Sequence, residues 1–91
     1  MKKVTHKMTP NEFIKQRPHL IWYTKNYEGL SRESIVEATL NYGDWEDVQR
    51  LIKIMGIKAV AQIFRENSAR ARSNYDKKIA HFFNLYFNRH A

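Results

Sequence analysis

The chain has 91 residues, which is enough for one small domain. It is 43% hydrophobic and 13% aromatic with only three Gly and two Pro, which excludes a disordered chain and disfavours a fold of many short strands. Because there is no cysteine, a disulfide framework, a thiolate zinc site and a cysteine nucleophile are also excluded.

The net charge of +7 is unevenly distributed along the chain. Residues 1–27 carry six Lys and Arg against one acid, residues 28–47 one base against six acids, and residues 48–91 nine bases against two acids. This layout predicts two different surfaces, although charges on a small domain must cluster somewhere. No stretch has the length and hydropathy of a membrane span or signal peptide, so we expect a cytoplasmic protein without membrane contact.

The first helix has local start and stop signals. Thr9 is placed as its cap, Pro10 as its first residue and Glu12 as the partner three residues after the cap. Because a proline restricts the residue before it, Pro18 should end this helix near Arg17.

The next segment is ambiguous and is followed by a second helix. Residues 19–23 fit a strand or a helix, and we favour a helical turn because no partner strand is evident. Residues 26–30 are expected to be a loop. Ser31 caps the second helix and Gly43 closes it. Its inward face is predicted to hold Ile35, Val36, Thr39 and Leu40.

Two further helices meet at Gly56. Asp44 caps the first of them, and Asp47 lies in its first turn, where the helix dipole favours acids. Its apolar stripe comprises Trp45, Val48, Leu51, Ile52 and Met55. The second runs over residues 57–67, with Val60, Ile63 and Phe64 facing inward. Residues 68–72 either continue this helix or form a loop.

The final helix should be capped by Ser73 or Asn74, and it has more apolar residues than a surface helix needs. Phe82, Phe83 and Tyr86 can fill the core. That leaves Leu85 or Phe87 facing outward, unless the whole aromatic segment is buried. An exposed apolar side chain here favours docking of a protein partner or formation of a homodimer. The candidate partner-binding residues are Trp45, Tyr75, Leu85 and Phe87.

A basic tract over residues 65–78 is a candidate nucleic-acid site. Its bases are Arg65, Arg70, Arg72, Lys77 and Lys78. Arg and Lys among small polar residues at a helix junction are suited to phosphate contacts. The alternative is a solvated basic surface without a ligand. A helix-turn-helix around Gly56 would read bases with Lys58, Gln62 and Arg65, but the bulky Ile52 makes a packed αα-hairpin the favoured interpretation.

The sequence carries no recognised catalytic or cofactor motif. A Gly-rich phosphate loop, a nucleophile elbow and a His pair with metal-ligand spacing are all missing. Asp44, Glu46 and Asp47 are close together, but helix capping and the helix dipole explain them. A small helical nuclease would need an Arg and a His about one turn apart, whereas Arg72 and His81 are nine positions apart. We therefore expect no enzymatic activity, cofactor or metal.

Residues 18–87 resemble a family of small bacterial proteins often encoded beside AbiEii-type nucleotidyltransferase toxins. The most specific part of this resemblance is the junction from Tyr42 to Asp47 with the amphipathic helix that follows it. The looser parts are the segments 18–22, 35–37, 40–41, 51–52, 55–56, 60, 72–75 and 82–83. The resemblance implies a cytoplasmic helical protein that acts as the antitoxin-like partner of such a toxin.

These observations together predict an all-α, compact bundle of four to five short helices. A single domain is expected over residues 9–91, preceded by a flexible basic arm over residues 1–8. The predicted function is that of a non-enzymatic binding protein, antitoxin-like in class. The alternative is a stand-alone nucleic-acid-binding protein that uses its Arg and Lys surface.

Overall fold

The computed structural model of the protein describes residues 8–22, 24–69 and 75–91, and these residues form five α-helices and no strand. The helices are α1 (Pro10–Lys15), α2 (Arg32–Tyr42), α3 (Trp45–Met55), α4 (Ile57–Ser68) and α5 (Lys77–His90). The predicted all-α single domain of four to five helices is thereby confirmed. Most of the predicted arm lies outside the described residues, and Met8, its last residue, packs partly buried against the core.

Helix starts are largely where the local signals predict them. Thr9 Oγ1 accepts a hydrogen bond from the Glu12 N–H at 3.1 Å, and Glu12 Oε1 accepts one from the Thr9 N–H at 2.9 Å, which completes a capping box. Ser31 Oγ accepts from the Ser34 N–H at 3.1 Å. Both predicted caps are therefore confirmed.

The start of α5 differs from the prediction. Asp76 caps this helix, because its Oδ1 accepts from the N–H groups of Lys78 at 2.9 Å and Ile79 at 3.4 Å. The expectation that Ser73 or Asn74 is the cap is wrong, and both of those residues lie outside the described part of the chain. A carboxylate also has the favourable charge for a helix N-terminus, which the neutral Ser and Asn lack.

Helix α4 packs against α2, α3 and α5. Its Phe64 is fully buried, and the ring centroids of Tyr75 and Phe87 lie 5.0 and 5.5 Å from that of Phe64. The predicted inward face of α2 is confirmed, since all four of its residues are buried. The hydroxyl of one of them, Thr39, is satisfied within the helix by donating to the Ile35 carbonyl at 2.8 Å.

The connection between α1 and α2 contains two 3₁₀ turns, Pro18–Leu20 and Tyr27–Gly29. The favoured helical turn is thus present at its beginning, while Ile21 is extended. The second turn lies in the segment that was expected to be an irregular loop. Asn11 on α1 holds this connection in place by donating to the backbone carbonyls of Tyr27 at 2.8 Å and Leu30 at 3.1 Å.

Helices α3 and α4 are joined by Gly56 alone, which has a φ of +92°. That left-handed conformation strongly favours glycine. A helix-turn-helix joins its helices by a turn of about three to four residues. The shorter junction therefore favours the packed helix pair over the DNA-reading alternative.

Candidate functional site

Three residues of the segment 42–47 have a structural role at the junction between α2 and α3. A side chain at Gly43 would place its Cβ 2.7 Å from the Thr39 carbonyl oxygen, so only glycine fits there without a shift of the backbone. Asp44 Oδ1 accepts from the Asp47 N–H at 2.8 Å, and Asp47 Oδ2 accepts from the Asp44 N–H at 3.1 Å. These contacts close α2 and start α3.

Asp47 has a second role, because its other carboxylate oxygen binds Arg17. The Arg17 Nε donates to Asp47 Oδ1 at 2.7 Å, and the two side chains are only 18% and 13% exposed. The Arg17 guanidinium also lies 4.2 Å from the centroid of the Phe13 ring. Partial burial raises the pKa of Asp47, but the hydrogen bonds from Arg17 and Asp44 outweigh it, so its pKa lies below the ordinary value.

The two aromatic residues of this junction take no part in closing α2 or starting α3. Tyr42 and Trp45 are each about half exposed. Trp22 packs edge-on against Tyr42, with the ring centroids 5.2 Å apart. Trp45 packs edge-on against two rings of α5, at 5.8 Å from Phe82 and 5.3 Å from Tyr86. The pairs hold the rings in place without removing them from solvent.

The two pairs are connected along the surface of α5. Tyr42 and Ile79 line one groove of about 570 Å³ between the end of α2 and the start of α5. Phe82 lies one helical turn beyond Ile79, and Leu85 one turn beyond Phe82. We call the resulting surface the aromatic strip. Its exposed members are Trp22 (68%), Tyr42 (58%), Trp45 (48%), Phe82 (48%) and Leu85 (59%).

The structure corrects half of the predicted partner-binding set. Trp45 and Leu85 lie on the aromatic strip, but Tyr75 and Phe87 belong to the core, where both pack against Phe64. The pKa of Tyr75 is raised by this burial and by the nearby Glu37. Neither side chain offers a surface to a partner. The sequence predicted that either Leu85 or Phe87 faces outward, and in the structure it is Leu85.

Phe82 is a second correction, since it was expected in the core and is 48% exposed. The core face of α5 is centred on Phe83 and Phe87, both buried, which turns Phe82 to the rim. Tyr42 and Trp22 were missed altogether. Tyr42 could have been predicted as exposed from the sequence. It lies outside the inward face of α2 and directly precedes the glycine that ends this helix.

Of the predicted nucleic-acid-binding residues, the three that the structure describes do not lie together. Arg65 Nη2 donates to the Phe87 carbonyl at 3.1 Å, near the C-terminal end of α5. Lys77 and Lys78 are exposed in the first turn of the same helix, roughly 15 Å away at 1.5 Å per residue. Arg70 and Arg72 lie outside the described residues.

The described residues were also compared with the requirements of a metal site and of a membrane span. In the described ranges, no group of three or more His, Asp or Glu side chains is placed to hold a metal ion. None of the described helices has the length and hydropathy needed to span a membrane. His19, His81 and His90 are all exposed, and His90 packs against the Tyr86 ring at 4.6 Å.

No protein-family model, curated protein or solved structure matches the chain.

Proposed function

We propose that this protein is a non-enzymatic regulator that binds a protein partner through the aromatic strip. The observation that carries the proposal is that the exposed large hydrophobic side chains of the described residues all lie on this one connected surface. Exposed apolar residues on a monomer are normally scattered, and a connected patch marks an interaction site. Trp and Tyr are also enriched among the residues that dominate binding energy in protein interfaces.

The proposed partner is a toxin of the AbiEii-type nucleotidyltransferase class, with this protein as its cytoplasmic, antitoxin-like binder. The support for that class is the resemblance of the Tyr42–Asp47 junction and the helix that follows. Within the junction, Gly43, Asp44 and Asp47 serve the fold. Tyr42 and Trp45 keep about half of their surface exposed and can contact the partner.

Nucleic-acid binding is a second candidate, and the distribution of charge favours a specific location for it. The described residues carry 11 Lys and Arg against nine Asp and Glu, a net charge of only +2. The remaining +5 of the total of +7 comes from residues 1–7 and 70–74, which contain five bases and no acid. Phosphate binding would therefore depend on these two segments and would be separable from the aromatic strip.

Replacing Trp22 and Leu85 with serine should abolish capture of the partner. The protein is co-expressed with its chromosomal neighbour, purified by a tag and washed in high salt, which leaves an apolar interface intact. Loss of two exposed apolar anchors is expected to weaken binding on the order of 30-fold or more. The matched control is Gln62→Ser, an exposed position on α4 that lies outside the strip.

Capture that survives high salt and is lost only in the strip variant supports the proposed function. Equal capture by both variants would place the interface elsewhere. If no protein is retained and nucleic acid is released by salt instead, the second candidate replaces the first.

A further inference from the structure

We infer that Arg17 and Asp47 are positioning residues for the aromatic strip. Their ion pair connects the two segments that carry the tryptophans of the strip, Trp22 and Trp45, and fixes the spacing between them. The inference rests on the proposed function, because it adds two positioning residues to the same binding surface. The Arg17 and Asp47 side chains are only 18% and 13% exposed, so their effect on the partner is exerted through the tryptophans.

Arg17 is connected to Trp22 by a short and tightly held stretch of backbone. The Arg17 carbonyl accepts a hydrogen bond from the Leu20 N–H at 3.0 Å. The Pro18 carbonyl accepts one from the Ile21 N–H at 3.3 Å, and these two bonds form the first 3₁₀ turn. The side chains of Leu20 and Ile21 are both buried. We therefore expect a displacement of Arg17 to move Trp22, five positions further along, with little absorbed between them.

Asp47 lies in the first turn of α3, as does Trp45. Its Oδ2 accepts from the Asp44 N–H at 3.1 Å and thereby closes the capping box of α3. Its Oδ1 accepts from the Arg17 Nε at 2.7 Å. The two oxygens of one carboxylate thus hold the start of α3 and join it to the stretch that follows α1. The position of Trp45, the first residue of α3, therefore depends on this carboxylate.

The α5 side of the strip has long-range contacts of its own. Asn41 Oδ1 accepts from the Asp76 N–H at 3.2 Å, which joins the end of α2 to the start of α5. Gln49 Nε2 donates to the Tyr86 hydroxyl at 3.4 Å, which joins α3 to α5. Neither contact involves the ion pair, so the α5 part of the strip should keep its place when the pair is broken. The expected change is confined to the two tryptophans and can be followed by their spectra.

The first test is the near-UV circular dichroism of the free protein. The chain has two tryptophans, and each packs edge-on against another ring of the strip, so their bands report the geometry of this surface. Arg17→Gln should weaken the tryptophan bands on the order of twofold, while the far-UV spectrum stays that of a folded helical protein. Asp47→Asn breaks the pair from the other side and should weaken the bands equally.

The control for this test is Ser31→Ala. It removes the N-terminal cap of α2, at the end of that helix opposite Tyr42, and so lowers stability without a change at the strip. Its tryptophan bands should equal those of the wild type. Unchanged bands in both variants of the ion pair, or an equal loss in Ser31→Ala, would overturn the inference.

The second test is a double-mutant cycle on capture of the partner. Arg17→Gln and Asp47→Asn should each weaken capture on the order of fivefold. The double variant should capture no less than either single variant, because both substitutions act through one contact. Ser31→Ala should capture as the wild type does. Losses that multiply in the double variant would show that the two residues act separately and would contradict the inference.

The two tests distinguish this inference from the proposed function. Weakened tryptophan bands in a protein that captures no partner refute only the regulator function. Capture that depends on Trp22 and Leu85 but not on Arg17, together with unchanged tryptophan bands, refutes only the positioning role.

Discussion

Replacement of Phe64 with alanine is expected to lower the free energy of unfolding by about 4 kcal/mol. Phe64 is fully buried on α4, and its ring is in contact range of Tyr75, Phe83 and Phe87. Truncation would leave a cavity where α4 meets α5. Because small domains have only ~5–15 kcal/mol of stability in total, the variant should be largely destabilised at physiological temperature.

Thermal and urea unfolding followed by circular dichroism would measure this effect. Phe82→Ala is the matched control, because the same atoms are removed from a ring that is half exposed. Its expected cost is about 1 kcal/mol, from partial loss of contact with Trp45 and Tyr86. Similar losses of stability in the two variants would contradict the division of α5 into a core face and an exposed rim.

Replacement of Asp47 with asparagine should destabilise the protein by about 2 kcal/mol at neutral pH. The amide can still complete the capping box, but it leaves the partly buried Arg17 guanidinium without its counter-charge. The cost is below that of a fully buried pair because both groups retain some exposure. Unfolding in urea measures it, with Glu46→Gln, one residue earlier and exposed, as the control.

The Arg17–Asp47 ion pair also predicts that the stability of the protein depends on pH. The pKa of Asp47 is lowered in the folded state, so its stabilisation is fully present above its ordinary pKa of 3.8 and is lost as the pH falls through the lower, folded-state value. The gap in stability between the wild type and Asp47→Asn should therefore be constant near neutral pH and close under strongly acidic conditions. A gap that stays constant into strong acid would contradict this assignment.

Features set by residues close together in the chain were predictable. The caps at Thr9, Ser31 and Asp44 and the stop at Gly56 are each decided within about four residues, and all four are found where the sequence places them. At the start of α5, Ser73 and Asn74 were the predicted caps, and Asp76, a short distance further along, has that role instead. The capping preferences of these residues are too similar to decide where α5 begins, so its first residue is set by packing of the whole helix.

The aromatic strip and the Arg17–Asp47 pair were not predictable for a different reason. Arg17 and Asp47 are 30 residues apart, so no local pattern relates them. On α5, apolar residues cover more than half of the helix circumference, and periodicity alone cannot say which edge becomes the rim. Docking against Phe64 selects Phe83 and Phe87 for the core and leaves Phe82 and Leu85 outside.

The placement of the tryptophans has an optical consequence. The chain has two Trp, and both lie on the aromatic strip, whereas the buried aromatic residues are Phe and Tyr. The tryptophan fluorescence of the protein therefore originates at the aromatic strip. Covering that surface transfers both indole rings from water to an apolar contact, so a blue shift of the emission reports occupancy of the strip without any attached dye.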